Sequence, residues 1–151
     1  MSKILFLHGL ESLPGGSKVR YLEGRGYEVL NPFLPKDSWE RSVDIAQRYV
    51  DEEKPSIIVG SSRGGAVAMA VDPGAARLVL VAPAWKRFGC APACLNRDTI
   101  VIHSPKDDIV DYENSVELSD LYGVRLISAG ECHRMNDPSA HSEILKAVIA
   151  N

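Results

Sequence analysis

Short apolar runs alternate along the chain with longer amphipathic stretches. The apolar runs are rich in aliphatic and β-branched residues and predict strands at Lys3–His8, Tyr27–Leu30, Ser56–Gly60, Arg77–Ala82, Thr99–His103 and Val124–Ser128. Most are continuous rather than alternating in polarity, which is typical of parallel strands covered on both faces. The stretches between them predict helices at Ser17–Gly26, Ser38–Lys54, Arg63–Val71, Tyr112–Tyr122 and Ser139–Ala150. This alternation predicts one α/β domain over residues 1–151, with a doubly wound, mostly parallel six-stranded sheet and helices on both faces.

One segment breaks this rhythm. Pro83–Arg97 contains two prolines, one glycine, two cysteines and two large aromatic residues, and it has little helical periodicity. It stands where a crossover helix would be expected between two strands. We therefore predict a loop or a short helix here that covers part of the molecule.

Composition and charge narrow the possible function classes. Seventeen Lys and Arg against twenty Asp and Glu give a net charge of −3, and an acidic chain without a basic stripe is a poor candidate for binding nucleic acid. No apolar run approaches the ~18 residues of a membrane span, and the first residues, MSKILFLHGL, lack the pattern of a signal peptide. We therefore expect a cytoplasmic protein with neither a nucleic-acid nor a membrane partner.

The cysteines do not indicate a metal site. Cys90, Cys94 and Cys132 are expected to be reduced thiols in a chain without a secretion signal. A Cys-x-x-x-Cys pair without a second pair nearby is weak evidence for zinc. We interpret all three cysteines as structural or incidental and expect no metal or cofactor.

The stretch Gly60–Gly64, with the sequence GSSRG, ends one predicted strand and opens the next predicted helix. It matches Gly-x-Ser-x-Gly, the nucleophile elbow, in which the serine occupies a sharp and strained strand-to-helix turn. The residues two before and two after the nucleophile crowd each other there, so only small side chains fit. With Ser62 as nucleophile these positions are Gly60 and Gly64, whereas with Ser61 a valine and an arginine would clash. The pattern favours Ser62. It does not match a phosphate-binding loop, since neither Gly-Lys-Ser/Thr nor Gly-x-Gly-x-x-Gly is present.

A serine hydroxyl needs a histidine base that is oriented by a carboxylate. On an elbow fold these groups follow in the order serine, acid, histidine, each just beyond the carboxyl end of a strand. Of the four histidines, only His133 follows an acidic loop and stands at a strand–helix junction. Asp107 and Asp108 both follow the strand Thr99–His103, and only one of them can point at His133.

An oxyanion hole requires two amide N–H groups near the nucleophile. One would come from Arg63, the residue after Ser62, at the positive end of the new helix. The other would come from the loop after the first strand, where Gly9 permits a close approach and Leu10 would donate its amide.

Together these residues resemble the α/β-hydrolase family. The resemblance covers nearly the whole chain and rests on HGL at positions 8–10, GSSRGG at 60–65, HSPKDDIV at 103–110 and ECHRMND at 131–137. In this family the acid loop commonly reads His-Gly-x-x-Asp-x-x-Val-Pro, and alignment on His103 and Val110 makes Asp107 the acid. Ser104 replaces the usual glycine and Asp111 the usual proline. The stretch HRMND is similar to that of short bacterial serine esterases.

The resemblance implies a hydrolytic, cofactor-free reaction on a parallel sheet between two helical layers. Family members usually have eight strands and often a lid inserted after the sixth. Here the two leading antiparallel strands are missing, and Pro83–Arg97 is all that stands at the lid position. We therefore expect a truncated α/β-hydrolase fold of three layers, with six strands in the order 4-3-5-6-7-8 in the family's strand numbering.

The expected function is a carboxylesterase that acts on small esters. Its triad would be Ser62, His133 and Asp107. Trp85 and Phe88 in the short cover either line the substrate pocket or shield the edge of the sheet. A short cover implies an open pocket and favours short acyl chains.

Two other readings stay open at this level. A thioesterase or small-peptide hydrolase would use the same residues, and a non-catalytic binding domain would share the fold while usually lacking a triad member. The expected partners are a small-molecule ester substrate and a second copy of the chain, because the uncovered edges of a truncated sheet favour a homodimer.

Overall fold

The structure is a computed structural model that describes residues 2–90, 95 and 97–150. The strands in this part of the chain are β1 (Lys3–Leu7), β2 (Glu28–Leu30), β3 (Ile57–Ser61), β4 (Arg77–Val81), β5 (Ile100–His103) and β6 (Arg125–Ser128). The helices are α1 (Ser17–Glu23), α2 (Trp39–Glu53), α3 (Arg63–Ala70), α4 (Glu113–Tyr122) and α5 (Pro138–Ile149). All strand pairs are parallel, and the order across the sheet is β2-β1-β3-β4-β5-β6. This is the order that the family resemblance implies.

Both faces of the sheet are buried, as the continuous apolar runs predict. Within β1, Ile4 and Phe6 face one layer while Leu5 and Leu7 face the other, and all four are at most 5% exposed. The first layer consists of α1 and α5, and the second consists of α2, α3 and α4. Crossovers between parallel strands are right-handed, so the side of the sheet on which a helix packs depends on whether the chain moves left or right to the next strand. Because this chain moves in both directions, helices cover both faces and the molecule has three layers.

Local capping explains where the helices begin. Ser38 caps α2 by accepting a hydrogen bond from the Arg41 amide. Asp137 caps α5 in the same way, with Pro138 in the first turn. The Asp137 cap fixes the start of α5 just beyond the loop that carries His133, and therefore also holds one end of that loop.

The carboxyl ends of the six strands meet at one edge of the sheet. The loops that follow β1, β3, β5 and β6 therefore converge there, as expected for ligand sites of open α/β sheets. In the described part of the chain, no helix is both long and apolar enough to cross a membrane.

Candidate active site

Ser62 lies at the tip of the turn between β3 and α3. Its backbone angles, φ 55° and ψ −116°, are far from any region that a serine ordinarily adopts. Hydrogen bonds on both sides hold this conformation: the Ser62 amide donates to the Val81 carbonyl at 2.9 Å, and the Ser62 carbonyl accepts from Gly65 and Ala84 at 3.0 Å each. The strained turn leaves the hydroxyl clear of the sheet, in the geometry that the Gly-x-Ser-x-Gly pattern predicts.

Two glycines make this turn possible. A Cβ on Gly60 would lie 2.5 Å from the Gly64 carbonyl oxygen, and a Cβ on Gly64 would lie 1.9 Å from the Leu7 carbonyl oxygen. Real Cβ atoms do not approach backbone atoms so closely. The crowding argument that selects Ser62 over Ser61 therefore corresponds to actual contacts in the structure.

His133 joins Ser62 to a carboxylate. Its Nε2 atom lies 2.9 Å from Ser62 Oγ, and its Nδ1 atom lies 2.7 Å from Asp107 Oδ2. Because a carboxylate only accepts, Nδ1 carries the proton and Nε2 is free to accept from the serine hydroxyl. The structure thus brings together three residues that are separated by up to 71 positions in the chain. Asp108, in contrast, is exposed to solvent.

The Asp107 side chain is fully buried and accepts four hydrogen bonds. Oδ1 accepts the amide N–H groups of Ile109 and Val110, both at 2.8 Å, while Oδ2 accepts from His133. Burial by itself would raise the pKa of this carboxyl group, but the hydrogen bonds from Val110, His133 and Ile109 outweigh it and lower the pKa. Asp107 is therefore held as an anion in an orientation that its own loop determines.

His103 is a fourth member of this network that the sequence pattern did not identify. Its Nε2 atom lies 3.0 Å from Asp107 Oδ2 and 3.1 Å from the Val110 carbonyl oxygen, and its Nδ1 atom lies 2.7 Å from Ser115 Oγ. Two acceptors at Nε2 place the proton there, so Nδ1 accepts from the Ser115 hydroxyl. Burial lowers the pKa of His103, which keeps the ring neutral. The signal that was available is the spacing of four between His103 and Asp107, which bridges the end of β5 and the acid loop.

The predicted oxyanion donors, the backbone amides of Leu10 and Arg63, belong to the two segments that meet at Ser62. Gly9, which precedes Leu10, lies so close that a Cβ on it would be 3.4 Å from Ser62 Cβ, and Arg63 opens α3 directly after the serine. Among the described residues, neither amide has a hydrogen-bond acceptor. Amide N–H groups without an acceptor of their own are available to donate to an oxyanion.

His8 fixes the loop that carries Leu10. Its Nδ1 atom lies 2.8 Å from the Gly9 carbonyl oxygen, and its Nε2 atom accepts the Leu34 amide at 2.9 Å. The ring is only 3% exposed, and burial lowers its pKa. A neutral His8 with its proton on Nδ1 satisfies both partners, so this histidine serves the loop rather than proton transfer.

A cavity of about 520 Å³ opens beside Ser62 and His133. Small-molecule sites commonly have volumes of ~300–1,000 Å³. The loop after β1, the first turn of α1 and the loop after β6 form most of its wall. Leu13 and Ile109 stand at this wall with 70% and 63% of their surfaces exposed, so the wall includes apolar surface that is open to solvent.

Trp85 and Phe88 do not line this cavity. Trp85 is buried in the core against the second helical layer, where its indole N–H donates to the Asn114 carbonyl at 3.1 Å. Phe88 stacks on Trp39, with a centroid separation of 5.4 Å. The cover segment contributes Arg87 to the cavity instead. Of the two predicted roles for Trp85 and Phe88, lining the pocket does not apply to this cavity, because both rings pack elsewhere.

The Arg63 side chain explains why Phe88 turns away. Its guanidinium group, 2% exposed, donates to the Pro35 carbonyl and to Ser42 Oγ, both at 3.1 Å. It also lies 5.7 Å from the centre of the Phe88 ring and 5.6 Å from that of Trp39. Burial lowers its pKa. These contacts between a cation and two ring faces hold the aromatic pair on the α2 side of the elbow.

The two described cysteines, Cys90 and Cys132, are free thiols. Cys90 donates to the Ala66 carbonyl at 3.3 Å, and burial raises its pKa. Cys94 lies outside the described residues. Within the described part of the chain, no group of three or more His, Cys, Asp or Glu side chains could hold a metal ion.

Comparison with known proteins identifies the fold. No family model and no curated protein sequence matches the chain. Solved structures do match it: a Xanthomonas campestris protein assigned to the α/β superfamily of hydrolases is 20% identical over 97% of this chain and 99% of its own, with a TM-score of 0.72. The ydeN gene product of Bacillus subtilis is 14% identical over 99% and 100%, with a TM-score of 0.73. The esterase domain of a Rhodothermus marinus protein is 19% identical over 97% and 84%, with a TM-score of 0.69. The chain therefore has a truncated α/β-hydrolase fold, as its motifs indicate.

Proposed function

We propose that this protein is a serine hydrolase that cleaves small carboxylic esters. The observation that carries the proposal is the unbroken line of hydrogen bonds from Ser62 through His133 to Asp107, at the tip of a strained turn. Hydroxyl, imidazole and carboxylate in this arrangement are the parts of a nucleophilic triad. The likeness in fold to proteins called hydrolases and esterases supports the same reading.

The proposed reaction proceeds through an acyl-enzyme. Ser62 Oγ attacks the ester carbonyl carbon while His133 Nε2 takes the hydroxyl proton. Asp107 holds the ring and stabilises its positive charge, and the amides of Leu10 and Arg63 donate to the oxyanion. His133 then gives the proton to the departing alcohol oxygen. Water repeats the sequence on the acyl-enzyme and releases the acid.

The cavity favours a substrate with a small acyl group. The cavity is open and has apolar side chains at its wall, which suits an acyl group of limited length.

A fluorophosphonate probe tests the nucleophile. We expect the wild-type protein to be labelled covalently, labelling to be lost in Ser62→Ala, and labelling to persist in the matched control Ser61→Ala. Folded wild-type protein that takes up no label would refute the proposal and favour a binding domain.

The substrate class is tested by p-nitrophenyl esters from acetate to palmitate, for which we expect kcat/KM to fall once the acyl chain outgrows the cavity. Rates that rise with chain length, or faster cleavage of matched thioesters or anilides, would contradict the ester assignment.

A further inference from the structure

Three cationic side chains line the cavity beside Ser62. They are Lys18, Arg87 and Arg134, and the one carboxylate among the described lining residues is Glu11. The Glu11 side chain is 81% exposed and lies 3.7 Å from Lys36, so it is already paired on the outer surface. The cavity is thus positively charged although the chain as a whole has a net charge of −3.

Lys18 differs from the two arginines, which are exposed to solvent. Its side chain is partly buried in the first turn of α1, and its Nζ atom donates to the carbonyl oxygen of Arg134 at 2.5 Å. That bond uses one of three N–H groups. Among the described residues, no carboxylate lies within ion-pair distance of the ammonium group. A partly desolvated cation without a counter-ion is costly to fold.

The position of Lys18 ties this charge to the catalytic loop. Arg134, whose carbonyl holds the ammonium group, directly follows His133 in the chain. Lys18, His133 and Ser62 therefore face one cavity. An anion that contacted Lys18 would share that cavity with the serine hydroxyl.

We propose that Lys18 binds a carboxylate on the substrate, so that the preferred esters are small monoanions such as half-esters of dicarboxylic acids. This inference rests on the proposed esterase function. A single, partly buried ammonium group matches the single charge of a carboxylate better than the double charge of a phosphate monoester. The two exposed arginines add long-range attraction for an anion rather than a second buried contact.

The test compares monomethyl glutarate with methyl pentanoate, which has the same number of carbon atoms in its acyl chain and no charge. Methanol release gives kcat and KM for each. We expect the wild-type protein to prefer the monoanion, and Lys18→Gln to lower the ratio of the two kcat/KM values by about 10- to 100-fold, mainly through the KM of the monoanion. The matched control is Lys146→Gln on the exposed face of α5, which should leave the ratio unchanged.

The pH profile gives a readout that a structural role would not move. Burial lowers the pKa of Lys18 from 10.5 to about 8, so the preference for the monoanion should decline as the pH rises through 8. The groups that face Lys18 are Cys132, Arg134 and His141. The decline should persist in Cys132→Ser and His141→Gln and be absent in Lys18→Gln. If Cys132→Ser or His141→Gln abolished the decline, the assignment to Lys18 would be overturned.

Failure of the inference and failure of the proposed function can be told apart. Equal hydrolysis of both esters, with no change in their ratio in Lys18→Gln, would overturn the inference and leave the esterase proposal standing. If neither ester were cleaved, binding of monomethyl glutarate to Ser62→Ala, followed by NMR line shifts, would decide the inference alone. Binding that is weakened by Lys18→Gln in that background would support it, and binding that is absent or unaffected would overturn it.

Discussion

Replacing Asp107 by asparagine changes the donors and acceptors of the site without changing its volume. Asp107 Oδ1 faces the amide N–H groups of Ile109 and Val110, each 2.8 Å away. An asparagine must keep its oxygen on that side, because an NH₂ group there would meet two donors. Its NH₂ group is then turned toward His133 Nδ1. The imidazole can satisfy that donor only by moving its own proton to Nε2, where it can no longer accept the proton of Ser62.

The expected magnitude follows from this loss of the reactive tautomer. A corresponding exchange in a serine–histidine–aspartate site lowers kcat by ~10⁴-fold, or about 5.4 kcal/mol at 1.36 kcal/mol per decade. Asp108→Asn is the matched control, because Asp108 is the adjacent aspartate and is exposed. A surface exchange of this kind should alter kcat by no more than about twofold.

The assay is p-nitrophenyl acetate hydrolysis by wild type and both variants, with circular dichroism melting to verify that each is folded. We expect fluorophosphonate labelling of Asp107→Asn to slow in parallel with kcat. A folded Asp107→Asn variant with more than a tenth of wild-type kcat would refute the tautomer argument. An equal loss of kcat in Asp108→Asn would show that kcat depends on the negative charge of the loop rather than on the hydrogen bond to His133.

Three further predictions concern the support of the site. Gly64→Ala would place a methyl group 1.9 Å from a backbone oxygen of β1, so we expect it to lower the free energy of unfolding in urea by more than about 3 kcal/mol. In the control Gly16→Ala the added methyl group has nothing within 4 Å, and the loss should be less than about 1 kcal/mol. The pKa of Lys18 is lowered from 10.5 to about 8, so the unfolded chain binds its proton more tightly and wild-type stability should rise with pH across that window. Lys18→Met should therefore be more stable than wild type at pH 7, by at most about 3 kcal/mol. Urea unfolding should show that this gain disappears above pH 10.5. A difference in stability that does not depend on pH would contradict the lowered pKa of Lys18. His103→Leu removes a donor to Asp107 and should lower kcat by about 10- to 100-fold, while His103→Gln, which keeps an N–H group for that carboxylate, should recover part of the loss; equal rates for the two variants would indicate that only packing is affected.

Local sequence determined the elements and the turn that carries Ser62. Continuous aliphatic runs specify strands buried on both faces, and the order of strands and helices leaves few parallel topologies. The choice of Ser62 over Ser61 was also available from the sequence, because the residues that crowd the turn, Gly60 and Gly64, lie two positions away on either side. Steric rules that act over a few residues can be applied before any tertiary contact is known.

Contacts between distant segments were decided only by the tertiary structure. The pattern left Asp107 and Asp108 as equals on either side of one peptide bond, and the family resemblance favoured the first. The fold places the Asp107 carboxylate against His133 through the bonds of its own loop. The role of His103, the second histidine on that carboxylate, also depended on the tertiary structure, since its proton position is set by Val110 and by a serine in the next helix.

The pocket shows the same division most clearly. Trp85 and Phe88 have the composition of a substrate pocket, but composition does not state which way a ring turns. The aromatic side chains pack against the apolar core and the buried guanidinium group of Arg63, while Arg87 and Lys18 line the cavity. Strand identity and turn geometry are set by near neighbours in the chain. The charge and shape of the pocket are set by which distant side chains compete for burial, and that competition is resolved only when the layers pack.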